Sequence, residues 1–208
     1  MRIVIATFNP DKVRELERLL DLPGVTLESL REFPGAVAPE ESGSTLLENA
    51  RIKARAAHAL TGLVSIADDT GLEVDALDGR PGIHAARFAG PAATYADNVQ
   101  RLLAELSGVE PARRTARFRT VCAAVLGPRD ELDAEGVLEG VITTAPRGAN
   151  GFGYDPVFEV SEVGALGRTL AELDGGEKNT TSHRARAVQA LAEKLAHWAA
   201  AGRRAGRA

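Results

Sequence analysis

Strand-like and helix-like segments alternate along the 208 residues, which predicts an α/β protein built on a mixed sheet flanked by helices. Three observations carry that expectation. Short β-branched runs are followed by stretches with apolar residues on one helical face. Two neighbouring runs, "TARFRTVCAAVLG" and "GVLEGVITT", read as an antiparallel pair of strands. The hydrophobic content of 44% is enough to fill a sizeable core.

The elements follow in order. "RIVIAT" is a short strand, and "NPDKVRELERLL" after it places Val13, Leu16 and Leu20 on one helical face. Asn9 suits its N-cap and Pro10 its first position. A second helix begins near Thr45, whose spacing to Glu48 matches a capping box, and continues through "NARIKARAAHAL". "LVSIA" is a buried strand that delivers Asp68 and Asp69 and then turns on Thr70 and Gly71. "NVQRLLAEL" sets Val99, Leu102 and Leu106 in helical register, and the two long strands come next. A last helix from about Ser182 aligns Val188, Leu191, Leu195 and Trp198 as a core stripe. No repeat and no Pro- or Ser-rich linker divides the chain, so residues 1–200 read as one domain and 201–208 as a flexible tail.

Composition narrows the function. A net charge of −4 argues against a protein that grips a nucleic acid polymer over its whole surface. The single cysteine, Cys122, has no internal partner for a disulfide and reads as a small apolar strand residue. The apolar start is too short for a signal peptide, and no run reaches membrane-spanning length. A cytoplasmic protein without membrane contact is expected.

Four stretches carry more polar chemistry than their positions need. In "TFNPDK", Thr7, Phe8, Asn9, Pro10, Asp11 and Lys12 join the first strand to its helix. This is a capped helix start, and such a start with a lysine in its first turn also offers N–H groups and charge to phosphate oxygens. Glu40 and Glu41 in "PEESG" form an acidic loop pair. Asp68 and Asp69 are adjacent carboxylates whose repulsion must be answered by a cation, a basic side chain or a proton. Magnesium, which takes one or two carboxylates and fills its other positions with water and phosphate, suits one glutamate and one aspartate. In "GFGYDPVF", Phe152 and Tyr154 occupy a glycine-flanked turn with no periodic reason to be buried, so they are free to receive a planar base. Asp155 ends that turn. Lys178, His183 and Arg184 lie before or at the start of the last helix, where cations oppose the helix dipole and call for an acidic or electron-rich neighbour.

The stretches "TFNPDK", "EESGSTLLENARIKA", "ADDTGLEVDALDGRPGIHAARFAG", "FGYDPVF" and "KNTTSHRARA", in that order over nearly the whole chain, resemble the inosine/xanthosine triphosphate pyrophosphatase family. That family hydrolyses deaminated purine nucleoside triphosphates to monophosphate and pyrophosphate. Two departures are Thr70, where a serine is usual, and "HAARFAG" for a Ser-Ala-Arg-Tyr run, which keeps Arg87 beside an aromatic residue.

The resemblance implies an elongated mixed sheet flanked by helices, with two lobes around a central nucleotide cleft, and a homodimer. It also implies that Thr7 to Lys12 contact the triphosphate, that Asp69 is the catalytic base, and that Glu40 with Asp69 holds Mg2+. Thr70 would touch substrate, Phe152, Gly153, Tyr154 and Asp155 would hold the base, and Lys178, His183 and Arg184 would complete the purine pocket. The substrate would be ITP, dITP or XTP. Lys53 shares a helical face with Asn49 and is within reach of a phosphate. Two other classes remain open on the residues alone. One is a different magnesium-dependent phosphatase releasing orthophosphate, and the other a non-catalytic nucleotide sensor.

Overall fold

The structure, a computed structural model, describes residues 1–20, 22–162, 164 and 167–205. Its described strands form a mixed sheet in the order β2-β1-β3-β5-β6-β7, with β4 paired to β3. The strands are β1 (Arg2–Ile5), β2 (Thr26–Ser29), β3 (Val64–Val74), β4 (Pro81–Gly82), β5 (Thr115–Val125), β6 (Glu131–Ile142) and β7 (Phe158–Val160). The α-helices are α1 (Pro10–Leu19), α2 (Leu46–Thr61), α3 (Tyr95–Glu105), α4 (Gly175–Thr181) and α5 (His183–Ala205). β1 runs parallel to β2 and β3, whereas β3 with β4 and β6 with β7 are antiparallel.

The chain packs as two compact units, each assembled from separated segments. The first comprises Met1–Asp69, Val121–Gly136 and Arg186–Ala208, and the second Thr70–Thr120 and Val137–Ala185. Strands β3, β5 and β6 and helix α5 each contribute residues to both. The sequence carried no linker signal because the boundary falls inside regular elements.

In the first unit, strand alternation sorts the core onto two faces of the sheet. Ile3, Ile5 and Ile66 pack with Leu16 and Leu20 of the α1 segment and with Val188, Leu191 and Leu195 of α5. The intervening residues Val4, Ala6 and Ala67 pack with Ala54 and Ala57 of α2. Trp198, expected in the α5 stripe, is only half-buried. Helix α5 runs on to Ala205, into the stretch read as a tail, and residues 206–208 lie outside the described residues. In the second unit, Val99, Leu102 and Leu106 join Leu72, Val74, Phe118, Leu138 and Phe158 in one core.

Helix ends follow the capping expectations with one change. Asn9 caps α1 by accepting from the Asp11 and Lys12 amides at 2.9 and 3.4 Å, and Thr45 caps α2 by accepting from Glu48 N. The Glu48 carboxylate turns mainly to Ser44. It accepts from the amide and hydroxyl of Ser44, which hold its pKa below the ordinary value. Ser182 accepts from Ala185 N at the start of α5, as its position suggested.

The pairing of β6 with β7 depends on one glycine. Gly140 lies opposite Val160, and a Cβ there would fall 2.4 Å from the Glu159 carbonyl oxygen and 2.5 Å from the Phe158 ring. Neither the backbone nor a fully buried ring can yield cheaply. Gly140→Ala is expected to destabilise the protein by about 1–3 kcal/mol or more, read as a lowered melting temperature. An unchanged melt would show that β7 shifts freely.

Candidate nucleotide site

The question raised by the paired aspartates is answered by the strand that holds them. β3 does not turn at Thr70 and Gly71 but continues as a strand to Val74. In an unbroken strand neighbouring side chains project to opposite faces, so Asp68 and Asp69 point away from each other. Each meets a different lysine. Asp68 follows Ile66 onto the α1 face, where Lys12 Nζ is 3.0 Å from Oδ2. Asp69 follows Ala67 onto the α2 face, where Lys53 Nζ donates to Oδ1 at 2.8 Å and Asn49 Nδ2 to Oδ2 at 3.3 Å. Both carboxylates are buried, so these charge partners offset much of the cost of removing them from water.

Asn49 and Lys53 come from one face of α2, spaced i, i+4. They lie on the stripe that Leu46, Ala50, Ala54 and Ala57 bury, so a lysine and an asparagine are fixed in the interior beside Asp69. Asn49 is doubly used, since its Oδ1 also accepts from Gly43 N at 2.9 Å. The glutamate that approaches this cluster is Glu41, whose Oε1 is 3.1 Å from Lys53 Nζ, while Glu40 is exposed. Lys53 therefore faces Glu41 and Asp69 directly. Burial works against its charge, but Asp69, Asp68 and Glu41 together outweigh burial and raise its pKa above the ordinary value.

The "TFNPDK" stretch presents less free backbone than its sequence suggested. Pro10 has no N–H, and the Asp11 and Lys12 amides are already taken by Asn9 Oδ1. A phosphate reaching this turn meets the Lys12 ammonium rather than a row of open amides. Thr7 is buried and its hydroxyl accepts from Asn9 N, Phe8 packs against the Val4 and Ala6 cluster, and Asp11 pairs with Arg14.

A second polar cluster is built entirely in the second unit. Asp155 is buried, and its Oδ2 accepts from Lys178 Nζ at 2.7 Å and from Phe152 N at 3.0 Å. This is the acidic neighbour that the basic stretch required. Gly151 makes the turn possible, because its φ is +76° and a Cβ would lie 2.1 Å from Asp155 Oδ2. Phe152 stays partly exposed, with Lys178 Nζ 5.1 Å and Arg184 Cζ 5.5 Å from its ring centre. Gly153, with φ +64°, carries the turn onward.

Tyr154 departs from expectation. Its ring is buried in the core of this unit, its hydroxyl donates to the Ala85 carbonyl at 2.9 Å, and burial pushes its pKa well up. A turn residue with no apolar periodicity is drawn inward here because a short 3₁₀ segment, Asp155–Val157, follows it directly. Of the two aromatic residues, Phe152 alone keeps part of its ring exposed, beside Tyr95 at 5.7 Å between ring centres.

His183 is buried and stacked on Phe118, ring centres 4.4 Å apart. Arg184 is buried and donates to Thr70 Oγ1 at 3.0 Å, and Thr70 Oγ1 is 2.7 Å from Thr120 Oγ1. Arg87 is exposed. Sequence reasoning passed over Glu41's ion pair, the Phe118 stack and Thr120. The first had a signal in the lysine on an apolar stripe, but the other two depend on strand pairing that no local pattern displays.

Asp68 and Asp69 each meet a lysine ammonium on opposite faces of β3, and carboxylate oxygens such as theirs are the ligand type a hard divalent cation such as magnesium takes. Among the described residues no group of three or more His, Cys, Asp or Glu side chains is arranged to hold a metal. No helix is long and apolar enough to cross a membrane among the described residues.

Residues 3–194 match the Ham1 family. The chain is 49% identical over 192 residues to a dITP/XTP pyrophosphatase of Geobacillus kaustophilus, covering 92% of this chain and 93% of that protein. It is 48% identical over 197 residues to a dITP/XTP pyrophosphatase of Thioalkalivibrio sulfidiphilus, covering 94% and 98%. The solved structure of a HAM1 protein from Coxiella burnetii superposes with a TM-score of 0.84 at 42% identity, covering 95% of this chain and 99% of that one.

The raised pKa of Lys53 has a consequence for stability. A lysine of this kind contributes its full stabilisation below the unfolded pKa of about 10.4 and loses it as pH rises through the higher folded value. Lys53→Met should therefore be less stable than the wild type by a constant margin from neutrality to about pH 10, and the margin should shrink above that. Denaturant titrations at several pH values measure it. A margin absent at neutral pH would show that the carboxylates do not need Lys53.

Proposed function

The chain belongs to the Ham1 family, and from that premise we propose that it is a nucleoside triphosphate pyrophosphohydrolase. It converts the deaminated purine nucleotides ITP, dITP and XTP to monophosphate and pyrophosphate and so removes them from the nucleotide pool. One observation carries the reading beyond the names of the relatives. Asp69 is a buried carboxylate whose two oxygens are each held by a donor from a single helix face.

The reaction consumes one water. Its oxygen bonds to the α-phosphorus, the bond from that phosphorus to the α–β bridging oxygen breaks, and the bridging oxygen leaves with pyrophosphate. The water's proton needs an acceptor, and Asp69 takes it as general base. Each Asp69 oxygen spends one acceptor position on Lys53 or Asn49 and keeps another, so the carboxylate is oriented without being saturated. Lys12 and Lys53 are the cations that offset phosphate charge. Glu40 and Asp69 are the residues that would hold magnesium, which supplies neutralisation of charge on the phosphates when bound. Glu41, through Lys53, keeps the lysine in place.

Base choice falls to the second unit. Lys178 and Arg184 are donors only, so they match the oxygen that hypoxanthine and xanthine carry where adenine has an amino group. Adenine there would meet donor with donor, and a site whose buried donors are left unpaired discriminates by roughly four orders of magnitude. Phe152 offers the aromatic face, and His183 and Thr70 complete the polar contacts. The protein acts on free nucleotides in the cytoplasm, as a homodimer, and the negative net charge supports small nucleotides over a nucleic acid polymer as partner.

A panel of purine nucleoside triphosphates with magnesium, assayed for pyrophosphate and orthophosphate, tests the reading. Pyrophosphate from ITP and XTP with little from ATP is expected, and orthophosphate as the product would point to a different phosphatase. Asp69→Asn should keep the fold and lower turnover at least about a hundredfold; near-normal turnover would leave Asp69 a structural residue. Arg184→Ala should narrow the ITP to ATP ratio of kcat/KM, and an unchanged ratio would remove Arg184 from base reading.

A further inference from the structure

Thr120 is fully buried in β5, in a position where valine would have the same shape and no hydroxyl to desolvate. Among the described residues its hydroxyl makes one hydrogen bond, at 2.7 Å to Thr70 Oγ1. Thr70 Oγ1 in turn receives an N–H of the buried Arg184 guanidinium at 3.0 Å. Arginine has no acceptor, so in that contact the Thr70 oxygen must accept. A hydroxyl has one proton and two acceptor positions, and its direction is set by whichever neighbours hold it. Thr120 and Arg184 both bond to the Thr70 oxygen, so each bears on the rotamer of Thr70, and Thr70 is one of the groups that hold Arg184.

We propose that Thr120 is a positioning residue for nucleotide recognition: it touches no substrate, but its hydroxyl holds Thr70 and, through Thr70, aims Arg184. The proposal rests on the function proposed above. When Thr120 is the donor in its bond to Thr70, the Thr70 oxygen accepts from both Thr120 and Arg184. When Thr120 is the acceptor, Thr70 is still held in the rotamer that meets Arg184. In either case removing the Thr120 hydroxyl withdraws one of the bonds that orient Thr70 beside Arg184, while the volume of the core stays filled.

The test compares Thr120→Val, which removes the hydroxyl at constant volume, with Thr120→Ser, which keeps the hydroxyl and removes the methyl. Each purified variant is melted and then assayed for kcat and KM with ITP and ATP, pyrophosphate being the readout. Thr120→Val should melt within a few degrees of the wild type, lose about tenfold in kcat/KM for ITP, and narrow the ITP to ATP ratio by a similar factor, the scale of one lost buried hydrogen bond. Thr120→Ser should restore the ratio. Should Thr120→Val fold poorly, Thr120→Cys, with a weaker bond and similar bulk, must give a ratio between serine and valine behaviour. A Thr120→Val ratio within about twofold of the wild type, or a serine variant as impaired as the valine one, overturns the proposal while leaving the pyrophosphatase reading intact. A wild type that releases no pyrophosphate from ITP or XTP overturns both.

Discussion

The alternation of side chains along β3 is the constraint on which the acidic site depends. Two adjacent carboxylates in a turn would confront each other across a few ångströms; in a continuous strand they leave on opposite faces and each can be given its own cation. Lys12 reaches Asp68 from α1 and Lys53 reaches Asp69 from α2. Buried ion pairs of this kind add little net stability, since desolvation consumes most of the attraction, yet breaking one by removing a partner costs about 3–5 kcal/mol. Their value here is positional: each carboxylate is held in place by a lysine from a different helix.

The second unit solves a similar problem with different parts. A buried lysine, Lys178, is held by a buried aspartate, Asp155, which the Phe152 amide also binds. The absence of a Cβ at Gly151 leaves room for that carboxylate. Lys178 and Arg184 then flank the Phe152 ring, so cationic donors and an aromatic face are fixed relative to one another by a single short turn, the short helix α4 and the start of α5. Tyr154, two residues on, serves the core instead, and its hydroxyl ties the turn to Ala85.

Much of this was legible in the residues. The Asn9–Pro10 start of α1, the Thr45 cap of α2 and the Val99, Leu102, Leu106 face all follow from local rules of helix termini and periodicity, and those rules act over a few residues. The chemistry of Asp68, Asp69, Lys178, His183 and Arg184 was also visible, because charged residues beside buried strands and at a helix start need partners. What local rules misjudged were the places where a partner came from a distance. Thr70 and Gly71 looked like a turn, but pairing across the sheet carries β3 through them.

The sequence by itself determined the alternating α/β order, the helix caps and the inventory of charged and aromatic side chains available to a nucleotide, since each depends on neighbours within one or two turns of chain. Only the tertiary structure decided which cation answers which carboxylate, that Glu41 rather than Glu40 meets Lys53, that Tyr154 is core while Phe152 is open, and that Thr120 stands behind Thr70. Those choices are made by pairs a dozen or more residues apart in the chain. Their energies depend on burial and on contact distances of about 3 Å, and no stretch of sequence specifies either before the sheet has closed on them.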